Sequence, residues 1–337
     1  MLQLKVEDIQ WLTADAATFY LSELSGRRIG YHAGQFITLV FTHHNEELRR
    51  SYSLSSSPDE DRLAITVKRV ANGEISRFML RKVKQGDVIN AVEPAGRFTI
   101  PDFSSRKDLV FFAAGSGIAP VFAQLKYILA REGDSQLTVL YSSLDSASVL
   151  FADELSKLQF LYPARLTIIH LLSSQGNRLN NVNAEALVKQ NVRFDIGNAE
   201  FYLCGPFAYM RMIRLTLLYM GISANRIRKE NFVLETVPVA EGYINYPPKK
   251  ISIKYNNEQH HLMVGENQTI LQAALQNNID LPYSCRAGIC SACTAKCSNG
   301  KVVMSVNDVL TDLDLSQGFI LTCTGHAVSD DVVIEFL

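Results

Sequence analysis

Four cysteines near the C-terminal end of the sequence have the spacing of metal ligands. Cys285, Cys290 and Cys293 follow a C-x4-C-x2-C pattern, and Cys323 comes thirty residues after the third. A cluster of two irons needs four thiolates, and this pattern takes three from one tight loop and the fourth from a distant strand. The residues between the ligands are mostly small, so backbone N–H groups can reach the bridging sulfides. The spacing therefore predicts a [2Fe–2S] centre.

Two other uses of these cysteines stay open at the level of the sequence. Structural zinc sites favour two C-x2-C pairs, whereas this chain has one such pair and a four-residue gap. A disulfide framework is less favoured, because five of the six cysteines fall within the last 53 residues. Such clustering suits a metal site in a reducing compartment. Cys297 has no place in the four-ligand pattern and is expected to be a packed strand thiol.

A second candidate group lies in the run Arg50-Ser-Tyr52-Ser53. Alone, this run is a basic-to-hydroxyl strand of no special meaning, and Tyr52 alone could equally be a core aromatic. Further along, Gly73 opens a helical pattern that contains Ser76. The N–H groups at the start of a helix favour an anion.

Two glycine-containing turns follow apolar runs in the middle of the chain. Gly115 and Gly117 come after one run, and Cys204-Gly205-Pro206 ends another. Ligands of parallel α/β sheets bind beyond the carboxyl ends of the strands, where both turns are predicted to lie. A Gly-x-Gly turn by itself is a weak signal, because a tight strand–helix turn without a ligand is about as common.

Residues 1–103 have the pattern of a small antiparallel β-barrel. Short runs rich in β-branched and aromatic residues alternate with glycine, proline and asparagine turn signals. The predicted strands include 36–41, 63–68, 87–92 and 97–100. One helical pattern covers residues 74–84. Its predicted apolar face comprises Ile75, Phe78, Met79 and Val83.

The remaining chain divides into an α/β domain, a linker and a C-terminal domain. Residues 104–235 alternate strand and helix patterns, which indicates a doubly wound parallel sheet. The predicted strands are 107–113, 137–141, 165–171 and 200–204. Residues 236–249 carry three prolines and are predicted to be a linker. Residues 250–337 are expected to hold a hairpin about Asn256-Asn257, a helix over 269–277 and the cysteine loop.

Taken together, these motifs resemble those of the ferredoxin–NADP reductase superfamily. The flavin motifs of that family are R-x-Y-S-x-x-S and G-x-x-S. The resemblance implies that Arg50 pairs with the flavin phosphate, that Tyr52 lies along the isoalloxazine ring and that Ser53 sits near flavin N5. Gly73 and Ser76 would hold the pyrophosphate. These roles are physically sensible, because an arginine fork suits phosphate and an aromatic face suits a flat ring.

The same resemblance implies a nicotinamide site formed by the G-x-G-I-x-P and C-G-P strings. Its residues are Gly115, Gly117, Pro120, Cys204, Gly205 and Pro206. The first two glycines would let the pyrophosphate approach, and Cys204 and Gly205 would flank the nicotinamide. Ser53 and Cys204 are the predicted catalytic residues, although Cys204 has an alternative interpretation as a small buried hydrophobe. Hydride transfer requires no general acid or base.

The choice of cofactors rests on single features. A 2′-phosphate requires Arg or Lys, whereas a free ribose diol requires an acid. No basic residue occurs between Tyr141 and Lys157, and Asp145 lies there, so NADH is slightly favoured over NADPH. Arg178 or Arg211 could fold into reach. FAD is favoured over the FMN of phthalate-type reductases, because FAD would leave a pyrophosphate at the predicted helix start.

The order of flavin barrel, nicotinamide domain and C-terminal plant-type ferredoxin of β-grasp type resembles the reductase components of multicomponent oxygenases. The motifs resemble in particular the reductase subunits of phenylacetyl-CoA oxygenases. This implies an NAD(P)H-dependent reductase that feeds a terminal oxygenase or another acceptor, such as a hybrid-cluster protein. Glu93 departs from the family, since it replaces the usual glycine of G-P-x-G. Two alternatives that are not electron-transfer enzymes are a redox sensor and a non-catalytic binding module stabilised by a structural zinc ion.

The composition and the pattern of apolar residues indicate which partners and which location to expect. The formal net charge of −1, with 20% charged and 47% hydrophobic residues, gives no case for nucleic acid as a partner. No apolar run reaches about 18 residues, so membrane insertion is not expected. The first residues lack a basic segment followed by an apolar one, so no signal peptide is predicted. The expected location is the cytoplasm.

Overall fold

The structure is a computed structural model that describes residues 1–43, 46–71, 73–100, 106–131, 133–232 and 245–336. These residues form two compact units, Met1–Asn231 and Phe232–Leu337. Most of the predicted linker, at 236–249, lies outside the described residues. Within the described ranges, no helix is long and apolar enough to cross a lipid bilayer.

Six antiparallel strands form the N-terminal lobe of the first unit. They are β1 (Leu2–Thr13), β2 (Ala16–Glu23), β3 (Phe36–His43), β4 (Glu46–Ser53), β5 (Leu63–Lys68) and β6 (Val88–Ala95). Their order across the sheet is β4-β3-β6-β1-β2-β5. An isolated bridge between Leu54, just after β4, and Ile65 of β5 joins the two edges. The sheet therefore closes into the predicted barrel, with Phe19, Ile37 and Leu39 in its core.

The helix of the barrel lobe, α1 (Glu74–Lys82), differs from its predicted face at one residue. Ile75 and Met79 are buried, as predicted, whereas Phe78 is 44% exposed. Its ring lies edge-on to Phe41 at a centroid distance of 5.9 Å, and Phe41 packs against the barrel core. Ser76 takes a buried place instead.

The predicted strand at 97–100 is wrong. The carbonyl of Phe98 accepts a hydrogen bond from the side chain of Gln124 instead of from a neighbouring strand. The ring of Phe98 is buried edge-on against Tyr202 at 5.6 Å. The apolar residues of this segment therefore fill the junction between the barrel and the next lobe.

Five parallel strands form the second lobe of this unit. They are β7 (Asp108–Ala114), β8 (Gln136–Ser143), β9 (Leu166–Leu172), β10 (Glu200–Cys204) and β11 (Ile227–Glu230), in the order β11-β10-β7-β8-β9. The helices are α2 (Ile118–Leu129), α3 (Ala152–Leu161), α4 (Asn181–Asn191) and α5 (Phe207–Tyr219). The doubly wound sheet is confirmed. β11 was not predicted, because four residues of which three are charged carry no strand signal.

The unbroken apolar run of β7 is explained by burial on both faces of the sheet. Leu109 and Phe111 belong to one buried cluster, and Val110 and Phe112 belong to the cluster on the opposite face. Successive strand side chains point to opposite faces, so a strand covered on both faces must be apolar at every position. β7 therefore forms the centre of the lobe.

The second unit is a small α+β fold. Its strands are β12 (Lys249–Tyr255), β13 (Glu258–Val264), β14 (Thr294–Asn299), β15 (Val302–Met304), β16 (Phe319–Leu321), β17 (Gly325–Ala327) and β18 (Val332–Glu335). The helices are α6 (Ile270–Gln276) and α7 (Asp312–Ser316). A mixed sheet has the order β13-β12-β18-β14-β16, and β15 pairs with β17. α6 packs on this sheet, in agreement with the predicted β-grasp type.

Local sequence signals locate the first hairpin and helix of this unit. Asn256 and Asn257 both have positive φ, 52° and 64°, as a two-residue hairpin turn requires. The Thr269 hydroxyl caps α6 by accepting from the N–H of Gln272, and the Gln272 side chain accepts from the N–H of Thr269. Both predictions are confirmed. Cys297 lies half-buried in β14 at the edge of the core, as expected for a strand thiol.

Candidate functional site

β7 and β10 are neighbours in the parallel sheet, but the chain leaves them toward opposite edges. The crevice beyond their carboxyl ends is the point at which ligands bind in such sheets. Both predicted turns lie at this crevice. Gly115–Gly117 follows β7 as a 3₁₀ turn, and Gly205 follows β10. α2 begins directly after the first turn, so its N-terminal N–H groups lie there as well.

Gly115 adopts a conformation that glycine favours and leaves open space beside it. Its φ is +54°, and a Cβ at this position would meet nothing within 4 Å. The hydroxyl of Tyr141 donates to the Gly115 carbonyl over 3.1 Å and accepts from the N–H of Leu150. Tyr141 therefore fixes the turn, although no sequence signal pointed to it. This geometry agrees with the predicted approach of a pyrophosphate at Gly115.

Gly117 has a different reason to be glycine. A Cβ there would overlap the carbonyl of Cys204 and lie 3.0 Å from the nitrogen of Gly205. The absent side chain lets the two turns pack against each other, which is an internal role. Two prolines complete the turns: Pro120 is buried in the first turn of α2, and Pro206 caps α5.

Cys204 lies deep in the sheet beside an acid that the sequence analysis did not identify. The thiol is fully buried, and burial raises its pKa well above the usual range. Its neighbour on β11 is Glu230, which is 2% exposed. Burial raises the pKa of Glu230 to about 8, so this carboxyl holds a proton near neutral pH. The geometry agrees with the alternative interpretation of Cys204 as a packed thiol, and its role beside the nicotinamide stays a prediction.

Asp145 already has a partner within its own turn. Its Oδ1 accepts from the N–H of Ser148 over 2.9 Å, and the hydroxyl of Ser148 accepts from the N–H of Asp145 over 3.1 Å. This reciprocal cap holds the turn after β8. Ribose recognition by Asp145 stays a prediction.

The predicted flavin residues lie together at the end of β4. Arg50 and Tyr52 are two residues apart on a strand and share a face. Arg50 is exposed, and Tyr52 is half-buried with burial raising the pKa of its hydroxyl. Ser53 is 5% exposed, and its Oγ has no hydrogen-bond partner among the described residues. A buried hydroxyl without a partner costs free energy, so a ligand atom would stabilise it.

Ser76 is engaged differently from the prediction for its hydroxyl. Its Oγ accepts from the N–H of Val70 and donates to the carbonyl of Gly73, both over 3.1 Å. A Cβ on Gly73 would lie 2.7 Å from this oxygen, so glycine permits the turn. The ring of Tyr52, the guanidinium of Arg50 and the unpartnered hydroxyl of Ser53 have the chemistry to hold a flavin, and their roles there stay a prediction.

The cysteine loop of the second unit is built from left-handed turns. Arg286, Gly288 and Ser291 have φ values of 55°, 75° and 51°. Alternation of this kind turns successive N–H groups inward: that of Ala287 donates to the sulfur of Cys285 over 3.3 Å. A Cβ on Gly288 would lie 2.7 Å from the carbonyl of Val306, so glycine is required.

The pairing of β14 with β16 brings the fourth cysteine to the loop. β14 begins immediately after Cys293, β16 ends two residues before Cys323, and Thr294 is opposite Leu321. Thr322 donates to the carbonyl of Cys293 through both its N–H and its hydroxyl, each over 3.1 Å. Cys293 and Cys323 are therefore held side by side, as the spacing predicted.

Hydrogen bonds link the four thiols to one another. Hydrogen bonds from Cys290 and Cys323 hold the pKa of Cys285 far below its usual value, and the same contacts raise the pKa of both partners. Cys323 lowers the pKa of Cys293 in the same way. Within the described ranges, no three His, Cys, Asp or Glu side chains are placed to hold a single metal ion. A [2Fe–2S] centre takes four thiolates as its ligands, so these four cysteines have the donor chemistry to hold one.

Three family models match successive parts of the chain. An oxidoreductase FAD-binding domain matches residues 3–100, an oxidoreductase NAD-binding domain matches residues 111–215, and a 2Fe-2S iron-sulfur cluster binding domain matches residues 253–328. Together the three models include all four cysteines and both glycine turns.

Curated relatives match the chain over most of its length. The chain is 35% identical over 322 residues to the ferredoxin reductase component of a 3-ketosteroid-9-alpha-monooxygenase from Mycobacterium tuberculosis, covering 93% of this chain and 87% of that one. It is 28% identical to one of the subunits of the 1,2-phenylacetyl-CoA epoxidase of Escherichia coli, over 99% and 97% of the two chains. A solved phthalate dioxygenase reductase shares the fold, with a TM-score of 0.63, 22% identity, and 99% and 98% of the chains covered.

Proposed function

The chain belongs to the family of ferredoxin reductase components, and from this premise we propose that it carries electrons from NADH to the oxygenase component of a multicomponent oxygenase. It is an NAD(P)H oxidoreductase that uses FAD and a [2Fe–2S] cluster. The observation that supports the proposal most is the strand pairing that brings Cys293 and Cys323 together at the cysteine loop, in a chain that also has flavin and nicotinamide domains.

The chemistry of the bound groups explains why one chain combines them. A bound FAD would supply the conversion between a hydride, which carries two electrons, and a [2Fe–2S] cluster, which accepts one electron at a time. The protein supplies position and electrostatics. Ser53 offers a hydroxyl at the predicted N5 position, and Tyr52 offers its ring to the isoalloxazine.

The residues at the crevice bind and orient the nicotinamide cofactor. Gly115 leaves room for phosphate beside the start of α2. Gly117 lets the two turns pack together, and Cys204 ends β10 beside the crevice as a buried, protonated thiol. Glu230 keeps a proton on its carboxyl beside Cys204, so neither group places a negative charge in this part of the sheet near neutral pH.

The preference for NADH and the identity of the acceptor are proposals of finer detail. Asp145 and the absence of basic residues between Tyr141 and Lys157 favour NADH. The relatives act with steroid and phenylacetyl-CoA oxygenases, and the motifs favour an oxygenase of phenylacetyl-CoA or a related aromatic as the acceptor. We also propose a cytoplasmic location, which agrees with six free cysteines in the chain.

One experiment tests the core of this proposal. The purified protein is titrated anaerobically with NADH and, in parallel, with NADPH, and the released flavin is identified by mass. We expect rapid bleaching of the flavin band with NADH, followed by a rhombic spin-half signal from the reduced cluster. Iron-free protein, or flavin that NADH does not reduce, would contradict the proposal. Reduction without onward transfer to cytochrome c would favour the redox-sensor alternative.

A further inference from the structure

The junction between the barrel and the parallel sheet of the first unit has two unlike edges. One edge is apolar: Phe98 and Ala16 of the barrel lobe belong to the same buried cluster as β7 and α2. The amide of Gln124 on α2 is fully buried there and donates to the carbonyl of Phe98. Packing therefore fixes this edge of the junction.

The other edge is open. A cavity of about 500 Å³ lies there, lined by side chains of both lobes that include Tyr20, Ser55, Phe122 and Phe151. Close packing is the normal condition of a protein interior, and a void of this size contributes no contacts of its own. Apolar packing is therefore incomplete at this edge, and polar contacts beside the cavity can help to set the separation of the lobes.

Two ion pairs cross the open edge. Asp59 accepts both terminal nitrogens of Arg131, over 2.6 and 3.0 Å, and Glu60 pairs with Lys126 over 2.5 Å. The guanidinium of Arg131 also stacks 3.5 Å from the ring centroid of Tyr127, which limits its freedom. The fork-on-fork geometry of the first pair fixes orientation as well as distance.

The chain connects each partner to one of the two cofactor sites. Asp59 and Glu60 follow Ser53, the last residue of β4, by six and seven residues. Lys126 lies on α2, and Arg131 comes two residues after its end. α2 itself starts at the glycine turn of the nicotinamide site. The ion pairs thus join the loop that leaves the flavin strand to the helix that leaves the nicotinamide turn.

We propose that Asp59–Arg131 and Glu60–Lys126 are positioning contacts for hydride transfer, which fix the separation of the flavin and nicotinamide sites across the open edge. The inference rests on the proposed function. Hydride transfer needs the reacting atoms about 3–3.5 Å apart, and a displacement of about 1 Å can cost about a hundredfold in rate. Contacts far from the reacting atoms can therefore control the rate without touching either cofactor.

The test compares the double variant D59N/E60Q with the control E185Q. The control removes a surface ion pair with Lys189, 2.6 Å long, on α4 of the same unit. We expect D59N/E60Q to bind FAD as the wild type does and to keep its KM for NADH. Single-turnover flavin reduction at saturating NADH should slow about tenfold. Amide hydrogen exchange of the FAD-free chain should rise at residues 54–60 and at the end of α2, and E185Q should change neither measurement.

A charge-swapped variant, Asp59→Arg with Arg131→Asp, restores an ion pair at this place and should keep most of the wild-type rate of flavin reduction. In the wild type, the rate at saturating NADH should fall between about 0.01 and 1 M salt, over which the Debye length shrinks from about 30 to about 3 Å. The salt dependence of the wild-type rate tests the proposed role of the ion pairs even if a variant fails to fold. An unchanged rate in D59N/E60Q, or a salt-independent rate in the wild type, overturns the inference. Absence of NADH-dependent flavin reduction in the wild type overturns the proposed function instead.

Discussion

Gly117 lies so close to the carbonyl of Cys204 that any side chain at position 117 would overlap it. The turn after β7 and the turn after β10 therefore pack backbone against backbone. This contact holds the two turns together at the point where the strand order of the parallel sheet reverses.

The variant Gly117→Ala is expected to destabilise the chain even without cofactors. The added methyl must push the two turns apart, and overpacking of this kind costs about 1–3 kcal/mol. Gly115→Ala is the matched comparison, because its Cβ would meet open space and only the positive φ is unfavourable, at about 1 kcal/mol. Thermal unfolding of the FAD-free protein measures both. A Gly117→Ala midpoint at or above that of Gly115→Ala would refute the packing role.

The metal ligands could be predicted from the sequence because their spacing is local. Three of them lie within nine residues, and the fourth lies at the end of a strand that pairs beside them. The alternating pattern of the parallel sheet was predictable for the same reason, since each element carries its own periodicity.

The residues that sequence reasoning missed act through contacts between distant segments. Tyr141 reaches a carbonyl 26 residues away, and Arg131 pairs with an acid 72 residues away. Glu230 lies on a short strand of mostly charged residues, and it is buried because this strand pairs with β10. Gly117 was predicted as a site residue, but its packing against Cys204 depends on strand order, which periodicity does not encode.

Removal of the Ser53 hydroxyl separates ligand binding from folding. Ser53→Ala should leave the stability of the FAD-free chain unchanged or slightly raised, because the buried Oγ has no partner there. Its affinity for FAD should fall by about 1 kcal/mol, the net value of one hydrogen bond. Fluorescence titration with FAD and thermal unfolding make the comparison, with Ser156→Ala on the exposed face of α3 as the control. An affinity equal to that of the wild type would remove Ser53 from the flavin site.

Glu230 should give the stability of the FAD-free protein a distinctive pH dependence. Its pKa is about 8 in the folded chain, against the ordinary value of 4.5. Between these values the folded state binds one proton more than the unfolded state, so stability falls as pH rises from about 5 to about 8. The change is on the order of a few kcal/mol. Glu230→Gln should flatten this slope, as measured by urea unfolding at several pH values, whereas Glu185→Gln should keep it. An equal slope in Glu230→Gln would disprove the assignment.

Asp145 can be tested for its two roles separately. Asp145→Asn keeps an oxygen that accepts from the N–H of Ser148 but loses the negative charge, so the turn should persist while preference for NADH weakens. Asp145→Arg should shift preference toward NADPH and cost about 1 kcal/mol through loss of the cap. Steady-state kinetics with both cofactors and thermal unfolding give the two readouts. Unchanged cofactor preference in both variants would leave Asp145 with a structural role alone.

Cys323→Ser is expected to abolish the iron–sulfur cluster while flavin reduction by NADH continues. A serine hydroxyl is a poor replacement for the fourth thiolate, and the two compact units place the cysteines apart from the flavin residues in the sequence. Cys297→Ser is the matched control, because this half-buried thiol lies in the same unit and outside the four-ligand set. Iron content, the spin-half signal after dithionite and the rate of flavin bleaching distinguish the outcomes. Loss of flavin reduction together with the cluster would show that the two centres do not act as separable modules, and loss of iron in Cys297→Ser would show that the ligand set is assigned wrongly.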